Sequence, residues 1–245
     1  MRRFSMIVLL WLAFLLSTVT IGCDDDALGG EESIERTFTF DESAEGWTGD
    51  IVDYPTYRTP EELEFVFERR SLPPELDAEG MGLYFAGRNT PDDLFMYAKR
   101  KLSGLQPRAT YRIDFRLDIA SNSPSGCVGI GGPPGEAVRV LVGAADVEPT
   151  AVVEDDWYRL NVNKDPNERV PGKRGAVAEV GNVANGVEQC TGDVPYRTIT
   201  RTNTGAPVEV TADENGFAWV FVGTDSGFEG KTTLFYDTIQ LTITG

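Results

Sequence analysis

The feature of this chain that most constrains its fold is a strict two-residue alternation of apolar and polar side chains. The alternation is clearest in TYRIDFRLDIA, residues 110–120, where apolar side chains share one face and arginine and aspartate share the other. Successive side chains of a β-strand point to opposite faces, so this pattern predicts an antiparallel strand with one face in the core and one in water. Similar alternation or dense apolar runs recur in RTFTF, LEFVFERR, GLYFAG, LFMYAKRKL, AVRVLVGA, WYRLNV, APVEVTA and FAWVFVGT.

Turn-forming segments separate these runs, among them AEGW, PPEL, GRNTPDD, GGPPGE and TDSGFEG. Gly, Pro, Asn and Asp supply the backbone conformations that turns require, and no helical period interrupts the pattern from Thr37 onward. About nine or ten strands without intervening helices are typical of a two-sheet fold. The sequence therefore predicts an all-β chain whose residues 36–245 form one antiparallel β-sandwich of the jelly-roll kind.

Residues 1–22 have the composition of a secretory signal peptide. Two arginines precede an apolar run from Met6 to Leu16, and small and polar residues follow it. The run is shorter than the roughly 20 residues that span a bilayer. Counting on to Ile21 nearly reaches that length, so an uncleaved anchor is the alternative. The arginine pair lacks the flanking residues of a twin-arginine signal.

The segment TIGC, which ends at Cys23, resembles the lipobox of bacterial lipoproteins, with Thr20 in place of the usual leucine. The resemblance implies cleavage before Cys23 and acylation of that cysteine by palmitate-type chains, which would anchor the protein in a membrane. It also implies a place in the cell envelope, on the periplasmic or extracellular side. An ordinary cysteine of a cleaved signal is the alternative. Residues 23–35 are acidic and glycine-bearing and are predicted to be a flexible tether.

The chain is strongly acidic, with 22 basic and 39 acidic side chains and a net charge of −17. Such a surface repels nucleic acid and anionic lipid head groups, so nucleic acid is excluded as a partner. Divalent cations, neutral sugars and basic proteins remain as partners, and solubility or a salty habitat explains the charge equally well. The chain has no histidine, which excludes Ser-His-Asp and Cys-His nucleophiles and histidine-ligated zinc.

Two cysteines follow the signal, Cys127 in SPSGCVGIGG and Cys190 in GVEQCTGD, and both lie in turn-rich polar segments. In an exported chain an even pair of cysteines predicts a disulfide. A loop of that span would contribute about 4 kcal/mol on the chain-entropy estimate. Two free thiols are the alternative, and the lack of histidine and of a CxxC motif disfavours a zinc site.

Three segments resemble galactose-binding-like jelly rolls, the fold of many carbohydrate-binding modules. FTFDESAEGW resembles the first strand, LSGLQPRATYRIDFRL a central strand with its preceding turn, and FYDTIQLTI the last strand. The resemblance implies a galactose-binding-like fold and a glycan as partner. Residues 126–204, rich in Gly, Asn and Pro, depart from a minimal module and are predicted to be a long insertion. WYRLNVNKDPNERVPGKRG and VGTDSGFEGKTTLFYDTI resemble segments of uncharacterised bacterial lipoproteins without an established function.

Sugar sites need an exposed aromatic face that stacks on a pyranose ring, together with amides or charges that bind hydroxyls. Trp157 in EDDWYRLNVNKD is the candidate stacking residue, and rim or core packing is the competing interpretation. The polar partners predicted to follow it are Asn161, Asn163 and Lys164.

The other tryptophans of the domain are predicted to be structural. Trp47 in AEGWTGD resembles the residue that closes the first turn of related jelly rolls. Trp219 alternates with Phe217 and Phe221 and is predicted to face the core.

Alternation in FYDTIQLTITG places Asp237 on the face of Phe235 and Ile239, so a carboxylate is predicted to face the core. A buried carboxylate needs a partner. The resemblance implies a structural calcium ion between the last and first strands, with Asp237 and Asp41 as ligands and calcium as the cofactor. The acidic pair of TDSGFEG is a weaker calcium candidate. Backbone N–H groups or an arginine are the alternative partners of Asp237.

Three functions follow from these observations. The leading hypothesis is a non-catalytic envelope lipoprotein whose jelly roll binds a glycan or another envelope component. The second is a polysaccharide-active enzyme that uses paired carboxylates. Its candidate acids are Glu154, Asp155 and Asp156, or Asp92 and Asp93. Adjacent acids in a strand point to opposite faces, which disfavours such a pair. The third is a structural or assembly lipoprotein without a small ligand.

Overall fold

The computed structural model describes residues 33–76, 79–167 and 169–245. The predicted signal peptide, Cys23 and nearly all of the predicted tether lie outside the described residues. Regular structure in the described part consists of fifteen strands and one short 3-10 helix, Pro74–Leu76. No helix in these ranges is long and apolar enough to cross a membrane.

The strands are spread evenly along the chain, as the recurring alternation predicts. In chain order they are β1 (Ser33–Phe38), β2 (Thr48–Val52), β3 (Tyr54–Pro55), β4 (Val66–Ser71), β5 (Met81–Arg88), β6 (Phe95–Leu102), β7 (Thr110–Ser121), β8 (Val138–Ala145), β9 (Ala151–Glu154), β10 (Trp157–Leu160), β11 (Ala176–Asn182), β12 (Arg197–Thr202), β13 (Val208–Thr211), β14 (Ala218–Ser226) and β15 (Lys231–Thr244).

Two antiparallel sheets contain most of these strands. Sheet I has seven strands in the order β12–β7–β15–β5–β4, with β1 also pairing with β15 and β13 with β7. Sheet II has five strands in the order β11–β8–β14–β6–β2. From β5 through β8 the chain changes sheet at each successive strand. It changes sheet again between β14 and β15, as in a jelly roll. The prediction of an all-β, antiparallel sandwich is therefore confirmed.

The main core lies between the sheets and follows the predicted alternation of β7. Ile113, Phe115, Leu117 and Ile119 are all at most 1% exposed. Trp47 also lies in this core, 2% exposed, with its ring edge-on to Phe38 at 5.5 Å. The structural role predicted for Trp47 agrees with this burial.

The prediction that Trp219 faces the main core is wrong. Ala218, Val220 and Val222 of β14 point into the main core, so Trp219 and Phe221 lie on the outer face of sheet II. Trp219 is half-buried there. The cause is that FAWVFVGT is apolar on both faces, so its alternation cannot say which set points inward.

A cap, residues 146–167 and 169–175, covers part of this outer face. It contains β9 and β10, which form a small sheet with β3 in the order β3–β10–β9. Leu160 and Val162 of the cap pack in a second apolar cluster with Phe95, Tyr97 and Phe221 of sheet II. The segment 126–204, predicted to be an insertion, also supplies β8 and β11 to sheet II and β12 to sheet I.

A bulge in β15 changes the expected position of Asp237. Tyr236 pairs with Ile119 and Thr238 with Asp118, so Asp237 is the extra residue of β15. Tyr236 and Ile239 both belong to the main core, which therefore skips Asp237. The predicted placement of Asp237 on the core face is wrong because one extra residue exchanges the two faces of a strand.

The disulfide prediction is confirmed. Cys127 and Cys190 are bonded, with their Cα atoms 5.4 Å apart. Cys127 is buried in the connection between β7 and β8, whereas Cys190 is exposed in the connection between β11 and β12. The bond therefore joins two long loops at one end of the sandwich.

Candidate functional site

A pocket of 360 Å³ opens where the cap meets the outer face of sheet II. Its lining contains both acidic and basic side chains, and its apolar members are Leu160, Val162 and Val170. The charged residues that line it are Asp53, Asp93, Glu154, Asp165, Asp225, Arg139, Arg159, Lys164 and Lys173. We call this cavity the charged pocket.

Lys164 extends from the cap into a cage of carboxylates. Its ammonium lies 2.9 Å from Asp53, 3.0 Å from Asp225 and 3.6 Å from Asp93. The side chains of Asp53 and Asp225 are only 2% and 5% exposed. Burial lowers the pKa of Lys164, but the three carboxylates outweigh it and hold the pKa above its ordinary value. Lys164 is therefore a fixed cation at neutral pH.

Arg159 of β10 provides the second link between cap and sheet. Its Nη1 donates to Asp53 at 2.8 Å and to Asp93 at 3.2 Å. The same guanidinium lies 4.6 Å from the centre of the Trp157 ring, within the range of a cation–π contact. Arg139 completes the network through an ion pair with Asp225.

Asp93 is the most accessible acid of the cage, with half of its side chain exposed. Burial raises its pKa above the ordinary value, and Asp53 and Asp225 add to that rise. Lys164 and Arg159 oppose it without cancelling it. Asp93 is therefore the acid of the cage that a ligand at the pocket mouth can reach most easily.

The predicted ligand residues separate into two pairs. Lys164 lines the charged pocket, and Trp157 is half-buried beside it under Arg159. The Asn161 amide instead binds backbone within the cap, accepting from Thr150 at 2.8 Å and donating to Glu148 at 2.9 Å.

Asn163 likewise acts within the cap. It is 5% exposed and its Nδ2 donates to the Asp165 carbonyl at 2.9 Å. The structure thus places Lys164 in the pocket and Trp157 beside it against Arg159, and it uses both asparagines to shape the loop that carries Lys164.

Two of the five candidate catalytic acids lie in the charged pocket, and the other three lie in exposed turns. Glu154 and Asp93 line the same pocket. Asp155 and Asp156 form the exposed β9–β10 turn, with φ of 50° and 62°, values typical of a type I′ hairpin. Asp92 is exposed in a turn as well.

In the region predicted to hold calcium, two other carboxylates repel the carboxylate of Asp237. Burial raises the pKa of Asp237, and Asp118 and Asp41 add to the rise. Arg69 donates to the carbonyls of Phe40, at 2.5 Å, and of Asp41. These carbonyls are therefore already bound.

Calcium takes six to eight oxygen ligands. In the described ranges, no group of three or more His, Cys, Asp or Glu side chains could hold a metal ion. The calcium site at Asp41 and Asp237 therefore stays a prediction.

No protein-family model matches the chain, and no curated protein is similar to it in sequence. Solved structures similar to it include several carbohydrate-binding modules with a β-sandwich fold. One is a module bound to β-1,4-galactotriose, with 11% identity, a TM-score of 0.32, and coverage of 79% of this chain and 86% of the other.

The family 11 module of a cellulosomal cellulase of Clostridium thermocellum has 10% identity and a TM-score of 0.39, covering 84% and 93%. A module known for specific mannan recognition has 12% identity and a TM-score of 0.38, covering 86% and 98%.

Proposed function

We propose that this chain is a non-catalytic, lipid-anchored protein of the cell envelope whose sandwich binds a glycan in the charged pocket. The observation that carries the proposal is a 360 Å³ cavity walled by charged side chains that neighbouring residues already hold in place. Small-molecule sites typically measure about 300–1,000 Å³ and hold a few fixed polar groups. Fixed carboxylates and cations can accept from and donate to sugar hydroxyls.

The balance of charge in the pocket favours a neutral ligand. Lys164 and Arg159 are each paired with buried or half-buried carboxylates. A strongly charged ligand would have to break these pairs and leave a buried charge without its partner, which is costly. A polyol can add hydrogen bonds at the pocket mouth, where Asp93 is exposed, without breaking them.

The anchor and location rest on the N-terminal sequence. TIGC ends at Cys23, and the acidic segment between that cysteine and β1 would serve as a tether. A lipid on Cys23 would hold the charged pocket within reach of envelope glycans.

A glycan array tests binding, with the full chain kept in detergent. We expect the parent to bind at least one neutral glycan and the Asp93→Asn variant to bind it about threefold to tenfold more weakly. Asp92→Asn is the matched control, because this neighbouring acid is exposed outside the pocket lining. Equal binding by parent and Asp93→Asn, or no binding by the parent, would contradict the proposal.

One observation favours a second candidate, a polysaccharide-active enzyme. Asp93, an acid with raised pKa, shares a cavity with Glu154. Glycoside cleavage needs one protonated and one ionised carboxyl group. Release of reducing sugar by the parent, lost in both Asp93→Asn and Glu154→Gln, would support this candidate over simple binding.

A further inference from the structure

A second cleft lies at the end of the sandwich joined by the disulfide. It has a volume of 630 Å³ and is bounded by the loops that follow β7 and precede β12, and by the start of β15. Among the described residues, it shares no lining side chain with the charged pocket. Its lining includes the uncharged side chains of Asn122, Gln189, Cys190, Tyr196, Phe228 and Thr233. Glu75, Asp193 and Lys231 are its charged members. We call this cavity the disulfide cleft.

The cleft contains a chain of hydrogen-bonding groups fixed in place. The Tyr196 hydroxyl lies 3.1 Å from the Thr233 hydroxyl oxygen, Oγ1. The Thr233 hydroxyl in turn donates to Asn122 Oδ1 at 2.9 Å. In the described part of the chain, Asn122 Nδ2 donates no hydrogen bond to protein. Asn122 is therefore oriented by Thr233 while both of its N–H groups stay free for a ligand.

Gln189 offers the complementary group. Its Nε2 donates to the carbonyls of Thr191, at 3.2 Å, and Asp193, at 2.9 Å. These contacts hold the exposed side chain in one orientation. Its Oε1 accepts no hydrogen bond from the described residues and is free as an acceptor.

Aromatic rings and charged side chains complete the lining. The Tyr196 ring packs edge-on against Phe235 at 5.6 Å, and Phe228 is half-buried. Lys231 Nζ lies 2.7 Å from Glu64. Glu75 Oε1 accepts from the Tyr196 backbone at 3.3 Å. The cleft thus presents rings, amides and hydroxyls, and the exposed acid Asp193 also lines it without an ion pair among the described residues.

The disulfide fixes the shape of the cleft. Cys190 lines it, and the bond to Cys127 ties together the two loops that bound it. The same loops are joined by the Ser125 N–H, which donates to the Val187 carbonyl at 2.8 Å. A cavity fixed before binding loses less conformational entropy when a ligand enters.

We propose that the disulfide cleft is a second binding site, specific for an uncharged saccharide. An aromatic ring beside amide and hydroxyl groups is the combination that binds pyranose rings, and the carboxylates of Glu75 and Asp193 in the lining disfavour an anionic ligand. The site is separate from the charged pocket, so the inference goes beyond the function proposed above. Two sites on one anchored domain could bind one polymer with increased avidity.

Side-chain amide signals provide a direct test. The full chain, labelled with nitrogen-15 and kept in detergent, is titrated with cellohexaose, xylohexaose and mannohexaose. We expect at least one of them to shift the side-chain amide signals of Asn122 and Gln189 in a saturable manner. Tyr196→Phe keeps the ring and should weaken this binding about threefold to tenfold, the effect of one hydrogen bond.

Controls separate the two sites. Tyr57→Phe alters an exposed tyrosine outside the cleft lining and should change nothing. Asp93→Asn should leave the shifts of Asn122 and Gln189 unaffected, even where it weakens glycan binding in the charged pocket. The cleft proposal is overturned if no oligosaccharide shifts both amides, or if Tyr196→Phe binds as the parent does.

Discussion

The cage around Lys164 should be a main source of the cap's stability, and Lys164→Met removes its central cation while keeping the aliphatic stem. The variant leaves the nearly buried acids Asp53 and Asp225 with one cationic partner each, Arg159 and Arg139. Removing one partner of a buried ion pair costs about 3–5 kcal/mol. Because an arginine remains for each acid, and the Lys164 side chain is 22% exposed, we expect a loss of about 2–3 kcal/mol.

Urea unfolding at neutral pH measures this loss as a change in the free energy of unfolding. A shift of the melting temperature by about 4–12 °C should accompany it in a domain of this size. Lys231→Met is the matched control, because Lys231 forms an exposed pair with Glu64, and pairs of that kind contribute about 0–1 kcal/mol. The double variant Lys164→Met/Asp53→Asn should be less destabilised than the sum of its parts.

A loss below about 1 kcal/mol in Lys164→Met would refute this reasoning, because it would show that water screens the cage as it screens a surface pair. Additive effects in the double variant would refute it as well, since the two residues would then not interact.

The remaining predictions concern the termini and the disulfide. Because the pKa of Asp237 is raised above 3.8 in the folded protein, its charged form opposes folding at neutral pH, and this penalty fades as pH falls through the folded pKa. Asp237→Asn should therefore melt higher than the parent at neutral pH in excess chelator, and the difference should shrink towards pH 4; a lower melting temperature would contradict this. A calcium ion bound at Asp237 would instead make the parental melting temperature rise with free calcium, so identical parental curves in chelator and millimolar calcium would exclude that site. Cys23→Ser should accumulate as unprocessed precursor, and normal processing of that variant to a membrane-bound form would contradict lipidation. Replacing Cys127 and Cys190 by serine should destabilise the fold by about 2–4 kcal/mol in denaturant unfolding, whereas unchanged stability would show that the loops are held by other contacts alone.

The sequence predicted correctly those features that depend only on neighbouring residues or on the number of cysteines. The alternation of residues 110–120 matched the buried face of β7, and counting cysteines gave the bond between Cys127 and Cys190. Both inferences need only the period of a strand or the number of thiols, and neither depends on which strands lie side by side.

The wrong predictions concerned which face of a strand points into the main core. An extra residue at Asp237 exchanges the faces of β15, and no composition signal in FYDTIQLTITG marks it. In FAWVFVGT both faces are apolar, so the alternation alone does not show that Phe221 packs against the cap while Val220 and Val222 meet the main core. The charged pocket was missed for another reason. Asp53, Asp93 and Asp225 are far apart in sequence, and only the order of strands in sheet II brings them to Lys164.

The cap also limits how a polymer could approach the protein. Its apolar cluster fills the space above Phe95, Tyr97 and Phe221, so a linear polysaccharide cannot lie lengthwise along the outer face of sheet II at that point. A chain that enters the charged pocket must do so by its end or by a short branch. The number of molecules bound to a polysaccharide of fixed mass should then rise as the polymer is cut into shorter pieces.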